Sequence, residues 1–423
     1  MGRRGSPCRL KISRLSVERT GVKQQLDHIA RCAAMLGVGF PLLLIVVTYS
    51  LGQTSFLGFA FVGLIAIQFS LRPTVIEMLA TVAAGAVYGF LYHLFGGSLP
   101  PDLPFRVVGV LAFVGTGSLM VMAARLLWAA PEMQRKRLDP LLAGLTPIVF
   151  LAYMPVAFKI SQAKMPDSLD HYLYAFDSRF GVQAGFAMGR IFSDWPTLYS
   201  VCSLVYMGLP LAMALVYLAA PRSGDEASLL KTFLITGIAA AFVFRVVPAA
   251  GPVYAFTDIY PTQLPTMGAD FLRPIHMDNP KLNAIPSLHT AWALLIYWRT
   301  RRAKILVQIA AGLFLFLTLL ATLGLGEHYL IDLVVAVPYA VSVRALCMTQ
   351  TGWSRERVLT AAFNAVLVAL WLVLLRQQAL LQIPVGAAWS LALLTVASAV
   401  WLNASLHSAR PIERVAAAKL VTS

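Results

Sequence analysis

Long uninterrupted apolar runs fill most of this chain, and such runs leave few ways to fold. A run of about 18 or more apolar residues is long enough to cross a bilayer as a helix. Inside hydrocarbon every backbone N–H and C=O must find its partner within the protein, so only helices and closed barrels span it. A barrel requires short segments of alternating polarity, and the runs here do not alternate. Of the 423 residues, 58% are hydrophobic and 13% charged, whereas a soluble domain is about a quarter charged. The expected fold is an all-α polytopic membrane protein of about twelve transmembrane helices. They fall at 32–51, 55–71, 74–95, 106–127, 140–159, 197–219, 229–250, 286–300, 304–324, 328–348, 358–375 and 385–403.

The charges are distributed as a membrane protein requires. The segment before Gln24 carries Arg3, Arg4, Arg9, Lys11, Arg14, Arg19 and Lys23, without the small-residue cleavage pattern of a secretory signal. It reads as a basic cytosolic tail touching anionic headgroups. Placing it inside puts 25 of the 34 basic residues on the same side. That bias follows the positive-inside rule and implies an even number of spans with both termini cytosolic. It also accounts for the net charge of +15 without a nucleic-acid partner. The membrane expected is a bacterial-type inner membrane. Cys8, Cys32, Cys202 and Cys347 are scattered, with no spacing for a metal or a redox pair.

Ionisable groups at span ends are costly, and those present tend to be functional. Arg245 lies near the outer end of the seventh span, followed by a long loop with Arg273, His276, Asp278 and Lys281. The eighth span opens with Pro286-Ser287-Leu288-His289. Pro286 suits a first helical position, and the free N–H groups of Ser287, Leu288 and His289 would suit a phosphate. The tenth span opens near His328, with Asp332 four residues on and therefore on the same helix face. Topology places Arg245, His289, His328 and Asp332 together at the outer membrane face. The outer segment 160–195, with Asp170, Asp177 and spaced aromatics, reads as an amphipathic helix lying in the interface or as a lid beside the lipid entry.

These groups suit phosphoryl transfer. His328, oriented by Asp332, can attack phosphorus, and His289 can protonate the leaving oxygen and then deprotonate an acceptor. Arg245 and the N–H groups of the eighth span can hold the phosphate oxygens. No carboxylate cluster for Mg²⁺ and no third histidine for Zn²⁺ accompany them, so neither a metal nor another cofactor is expected.

At these residues the chain resembles the type 2 phosphatidic acid phosphatase superfamily. Pro286-Ser287-Leu288-His289 is similar to its Pro-Ser-Gly-His signature, and His328 with Asp332 to its last motif. Pro248-Ala249-Ala250-Gly251-Pro252, the Pro-Ser-Leu-His stretch, Gly326-Glu327-His328-Tyr329-Leu330-Ile331-Asp332 and the segment from Leu169 to Gly181 resemble the inositol phosphorylceramide synthase-like branch. Two departures stand out. Ala321-Thr322 occupy the place of a Ser-Arg pair, and the first phosphatase motif is absent, which leaves Arg273 and Lys281 as candidates for the phosphate clamp.

Four regions are expected, and the resemblance covers only the third, over roughly residues 140–348. Residues 1–27 form the basic tail, and 28–138 four accessory helices. Residues 139–348 form a six-helix catalytic core with outer loops 160–195 and 249–285, and 349–423 two further helices and a cytosolic tail. The resemblance implies a metal-independent lipid phosphotransferase with a phosphohistidine intermediate, a phospholipid donor and a hydroxyl acceptor. A lipid phosphate or pyrophosphate phosphatase is the alternative. A twelve-helix secondary transporter competes less well, because the halves of the chain do not match and the polar residues avoid the midplane.

Overall fold

A computed structural model of the chain describes residues 54–129, 133, 137–151, 167–219, 226–268, 271–277, 281–348 and 353–408. The expected span 32–51, the basic tail and Asp278 lie outside the described residues. Contacts divide the chain into two compact units, one up to Ile148 and one from Val149 onward.

The first unit holds α1 (Thr54–Ser70), α2 (Val75–Leu94) and α3 (Leu103–Leu127). A further helical stretch over 137–151, α4, contains the boundary. Thr74 caps α2: its hydroxyl accepts the Glu77 N–H at 3.3 Å, and the Glu77 carboxylate accepts the Thr74 N–H at 2.6 Å. This reciprocal box satisfies two N–H groups that a helix start leaves over. Arg125, in the last turn of α3, donates to both Glu77 oxygens and to the Leu71 carbonyl. The start of α2 and the end of α3 are thereby tied together. The outward residues Ile76, Leu79, Val82 and Phe90 are exposed and apolar, the surface that lipid requires.

The second unit begins with the two-residue strand β1 (Asp167–Ser168), then α5 (Asp170–Asp177), α6 (Ala184–Asp194), α7 (Pro196–Met207), α8 (Leu209–Ala219) and α9 (Glu226–Val243). After the short α10 (Pro252–Ala255) and β2 (Ile275–His276) come α11 (Leu288–Thr300), α12 (Ile305–Gly324), α13 (Leu330–Cys347), α14 (Arg355–Arg376) and α15 (Val385–Ser408). β1 pairs antiparallel with β2, Asp167 opposite His276. Buried along most of its length, α13 is the central helix, packed by α9, α11, α14 and α15. Polar tips on large rings find carbonyls here: Trp292 Nε1 donates to Phe233 at 3.1 Å, and the Tyr339 hydroxyl to Thr236.

Among the described residues six helices are long and apolar enough to cross a membrane: α2, α3, α12, α13, α14 and α15. The pair α7–α8 makes a seventh if counted as one. The protein is an integral membrane protein on this basis. The expected straight span 197–219 is instead broken, α7 and α8 meeting at 60°. Pro210 explains the break, since within a continuous helix its ring would meet the carbonyl four residues earlier.

Nor does α5 lie on a surface. Asp170, Leu173, Tyr174, Ala175, Phe176 and Asp177 are all buried. Phe176 meets Trp371 of α14 edge-on at 5.6 Å, and Phe180 meets Trp389 of α15 at 5.0 Å. The Trp389 indole N–H donates to the Phe180 carbonyl at 3.0 Å. The aromatic periodicity that reads as membrane-facing is answered by tryptophans far along the chain.

Candidate active site

Two turns cross above the central helix. Gly326, at φ +72°, turns the chain from α12 towards α13, and Gly251, at φ +107°, turns it into α10. The Val253 N–H donates to the Gly326 carbonyl at 2.9 Å. A Cβ on Gly251 would sit 2.4 Å from the Glu327 carbonyl oxygen. Both the left-handed backbone and this close approach require glycine there.

His328 lies just past this crossing. It is buried, and its Nδ1 is 2.7 Å from the Ala284 carbonyl oxygen and 3.5 Å from Asp332 Oδ2. A carbonyl only accepts, so Nδ1 carries the hydrogen and Nε2 keeps its lone pair. The route to this pairing differs from the expected one. His328 is not on the helix beside Asp332: α13 begins at Leu330 with Tyr329 as its cap. Asp332 reaches back to accept the Tyr329 N–H at 2.8 Å, and that capping turn brings its carboxylate to His328.

The start of α11 is stitched to the same place. Ser287, wholly buried, is the cap of α11, and its hydroxyl accepts the Thr290 N–H at 3.3 Å. The Ser287 N–H donates to the Asp332 carbonyl at 3.2 Å. Leu288 is therefore the first helical residue, and Pro286 precedes the cap instead of occupying the first helical position. His289 stacks on the Tyr206 ring of α7, centroids 3.7 Å apart and planes 13° from parallel. The two imidazoles lie within electrostatic reach of one another.

Two carboxylates seven residues apart, on one face of α5, brace the arrangement. Asp170 accepts the Ala250 and Gly251 N–H groups and the Tyr329 hydroxyl, each at 2.8 Å. Asp177 accepts the Leu330 and Ile331 N–H groups at 2.7 and 3.1 Å, which helix starts leave over. Burial raises the Asp170 carboxyl against these bonds. Burial pushes the Asp177 carboxyl up to about 8, the Asp332 charge adding to it and the two N–H donors opposing. Their spacing of two helical turns was the available sequence signal; nothing in it named the partners. Next to Asp170, His171 stacks on Phe271 at 4.1 Å, and burial lowers its imidazole.

The three candidate cations are placed differently. Arg245, in the turn after α9, is exposed, and its side chain makes no hydrogen bond or ion pair among the described residues. Arg273 is exposed in the loop before β2, its backbone beside His171. Lys281 is also exposed, and its Nζ lies over the Tyr254 ring, 5.7 Å from the centroid. The Tyr254 hydroxyl donates to Glu327 Oε1 at 2.8 Å. Lys281 is thus connected, through one ring and one carboxylate, to the residue preceding His328. His276 is exposed and pairs with Asp167 at 3.2 Å. Among the described residues no three His, Cys, Asp or Glu side chains group as a metal site would need.

A family model described as the PAP2 superfamily matches residues 171–346. The matched segment contains both histidines, Asp332 and all three candidate cations. The match supports the PAP2 superfamily and, with it, a lipid enzyme of phosphatase or phosphotransferase type. No curated protein and no solved structure matches the chain.

Proposed function

We propose that the protein is a lipid phosphotransferase that works through a phosphohistidine at His328. The observation that carries this reading is the hold on Nδ1 by the Ala284 carbonyl at 2.7 Å, with Asp332 behind it at 3.5 Å. It leaves Nε2 as a nucleophile whose positive charge, once bonded to phosphorus, faces a carboxylate. In the first step Nε2 forms a bond to phosphorus, the bond to the leaving oxygen breaks, and His289 gives that oxygen a proton. In the second, His289 takes the proton of the acceptor hydroxyl, the acceptor oxygen bonds to phosphorus, and the P–N bond breaks. The first N–H groups of α11, at Leu288 and His289 beyond the Ser287 cap, are suited to the phosphate oxygens, with Lys281 as the favoured cation and Arg273 and Arg245 as further candidates.

The donor is a phospholipid, and the acceptor a lipid, alcohol or water. The resemblance in the Pro248–Pro252 and Gly326–Asp332 stretches favours the inositol phosphorylceramide synthase-like branch. About twelve spans, cytosolic termini and a site at the outer face of a bacterial-type inner membrane complete the proposal, on the strength of the basic-residue bias.

Purified full-length protein in mixed micelles with chelator and a labelled phospholipid tests it. Turnover is expected to persist in chelator and to fall at least about 10³-fold in His328→Ala and His289→Ala. No turnover of any lipid, together with saturable solute uptake into liposomes, would overturn the enzyme reading. Inorganic phosphate as the sole product in the presence of alcohol acceptors would replace the transferase by a phosphatase.

A further inference from the structure

Glu327 directly precedes His328, and the reaction outlined above gives it no task. Its side chain is half-buried. Tyr254 donates to Oε1 at 2.8 Å, and among the described residues no other group donates to it and no Lys or Arg pairs with it. Burial and the Glu327 charge hold the Tyr254 phenol well above its usual range, so the phenol stays the donor. The Glu327 backbone is fixed as well, pressed against Gly251 in the crossing turns. The carboxylate lies within electrostatic reach of Tyr206, the ring on which His289 stacks at 3.7 Å. A carboxylate therefore stands next to His328 in the chain and within electrostatic reach of the ring that carries His289.

A phosphate group held at His328 meets that charge, and the repulsion grows with the charge it carries. A phosphate monoester carries close to two negative charges at neutral pH, and a diester carries one. Lys281, over the Tyr254 ring at 5.7 Å, is the candidate cation tied to Glu327, and the carboxylate weakens its pull on a phosphate, a loss that falls harder on a dianion than on a monoanion.

We propose that Glu327, positioned by Tyr254, is a specificity-determining residue that turns the site away from phosphate monoesters and towards phosphodiesters. The inference rests on the phosphotransfer reading of the same site and narrows its substrate class. Discrimination of this kind comes from a repulsive element as much as from attractive contacts.

The test compares phosphatidate, a monoester, with phosphatidylglycerol, a diester, at equal surface concentration, using the full chain in mixed micelles. In Glu327→Gln, where the Tyr254 hydrogen bond has an acceptor but the charge is gone, the monoester-to-diester ratio of kcat/KM should rise about tenfold. The rise should come from a gain on the monoester. Glu327→Asp, which keeps the charge, should stay near the wild-type ratio, and Tyr254→Phe should shift it the same way as Glu327→Gln by less. An unchanged ratio in Glu327→Gln, or an equal loss on both lipids, would overturn the proposal while leaving the phosphotransfer reading intact. If wild type turns over neither lipid and takes no label on His328, the phosphotransfer reading fails and this inference with it.

Discussion

His328 is held from two sides, and the two holds are unequal. The Ala284 carbonyl at 2.7 Å makes the shorter contact with Nδ1, and Asp332 stands at 3.5 Å. Asp332→Asn keeps an oxygen for the Tyr329 N–H and leaves the Ala284 contact to fix the tautomer. It should therefore cost about 10–100-fold in kcat, measured on the labelled-lipid assay, with His328→Ala at background. The four-residue spacing of His328 and Asp332 was legible in the sequence, but its cause was not. Spacing on a helix suggested a shared face, whereas a capping turn ahead of α13 makes the pairing. The Ala284 carbonyl has no sequence signature, because any residue supplies a backbone oxygen. Asp177 adds a pH dependence. Its folded carboxyl is raised from 3.8 to about 8, so the folded protein keeps a proton there that the unfolded chain has released. That contribution is complete below about 3.8 and is lost as pH rises to about 8. The melting temperature should fall with rising pH across this window and level off above it, with a smaller slope in Asp177→Asn. Equal slopes for the two proteins would count against a protonated Asp177.

At the scale of elements, the site depends on where α10, α11 and α13 begin. Gly251→Ala places a Cβ 2.4 Å from the Glu327 oxygen on a backbone at φ +107°. It should destabilise the protein by about 1–3 kcal/mol and disturb the residue beside His328, read as a lower melting temperature and a lower kcat. Ser287→Ala removes the α11 cap and should cost about 1 kcal/mol. A loss of activity far beyond that loss of stability would point to phosphate contact by the Ser287 hydroxyl. The apolar runs foretold most helices closely, since a run and a helix end for the same reason. They did not foretell the 60° bend between α7 and α8, because the run passes through Gly208 and Pro210 without losing hydrophobicity. Nor did they place α5, whose burial depends on Trp371 and Trp389.

At the scale of the molecule, the two C-terminal helices share a compact unit with the site. They hold α5 and the turn after it through Trp371, Trp389 and the Phe180 carbonyl, and α5 in turn caps α13 through Asp177. The sequence offered no partner for these helices, since tertiary contacts between distant aromatics leave no local pattern. A chain ended after Met348 should therefore lose lipid turnover although every candidate catalytic residue remains. Full turnover by that truncated chain would show that α14 and α15 are dispensable. Trp389→Ala should lower the melting temperature while leaving the monoester-to-diester ratio unaltered.

The most direct test is to quench the full-length protein during turnover of a phosphorus-labelled phospholipid and locate the label by mass spectrometry under conditions that preserve phosphoramidates. The account predicts label on His328, absent in His328→Ala and accumulating in His289→Ala if the second step is the more impaired. Label on His289, or sustained turnover with no labelled histidine, would contradict it.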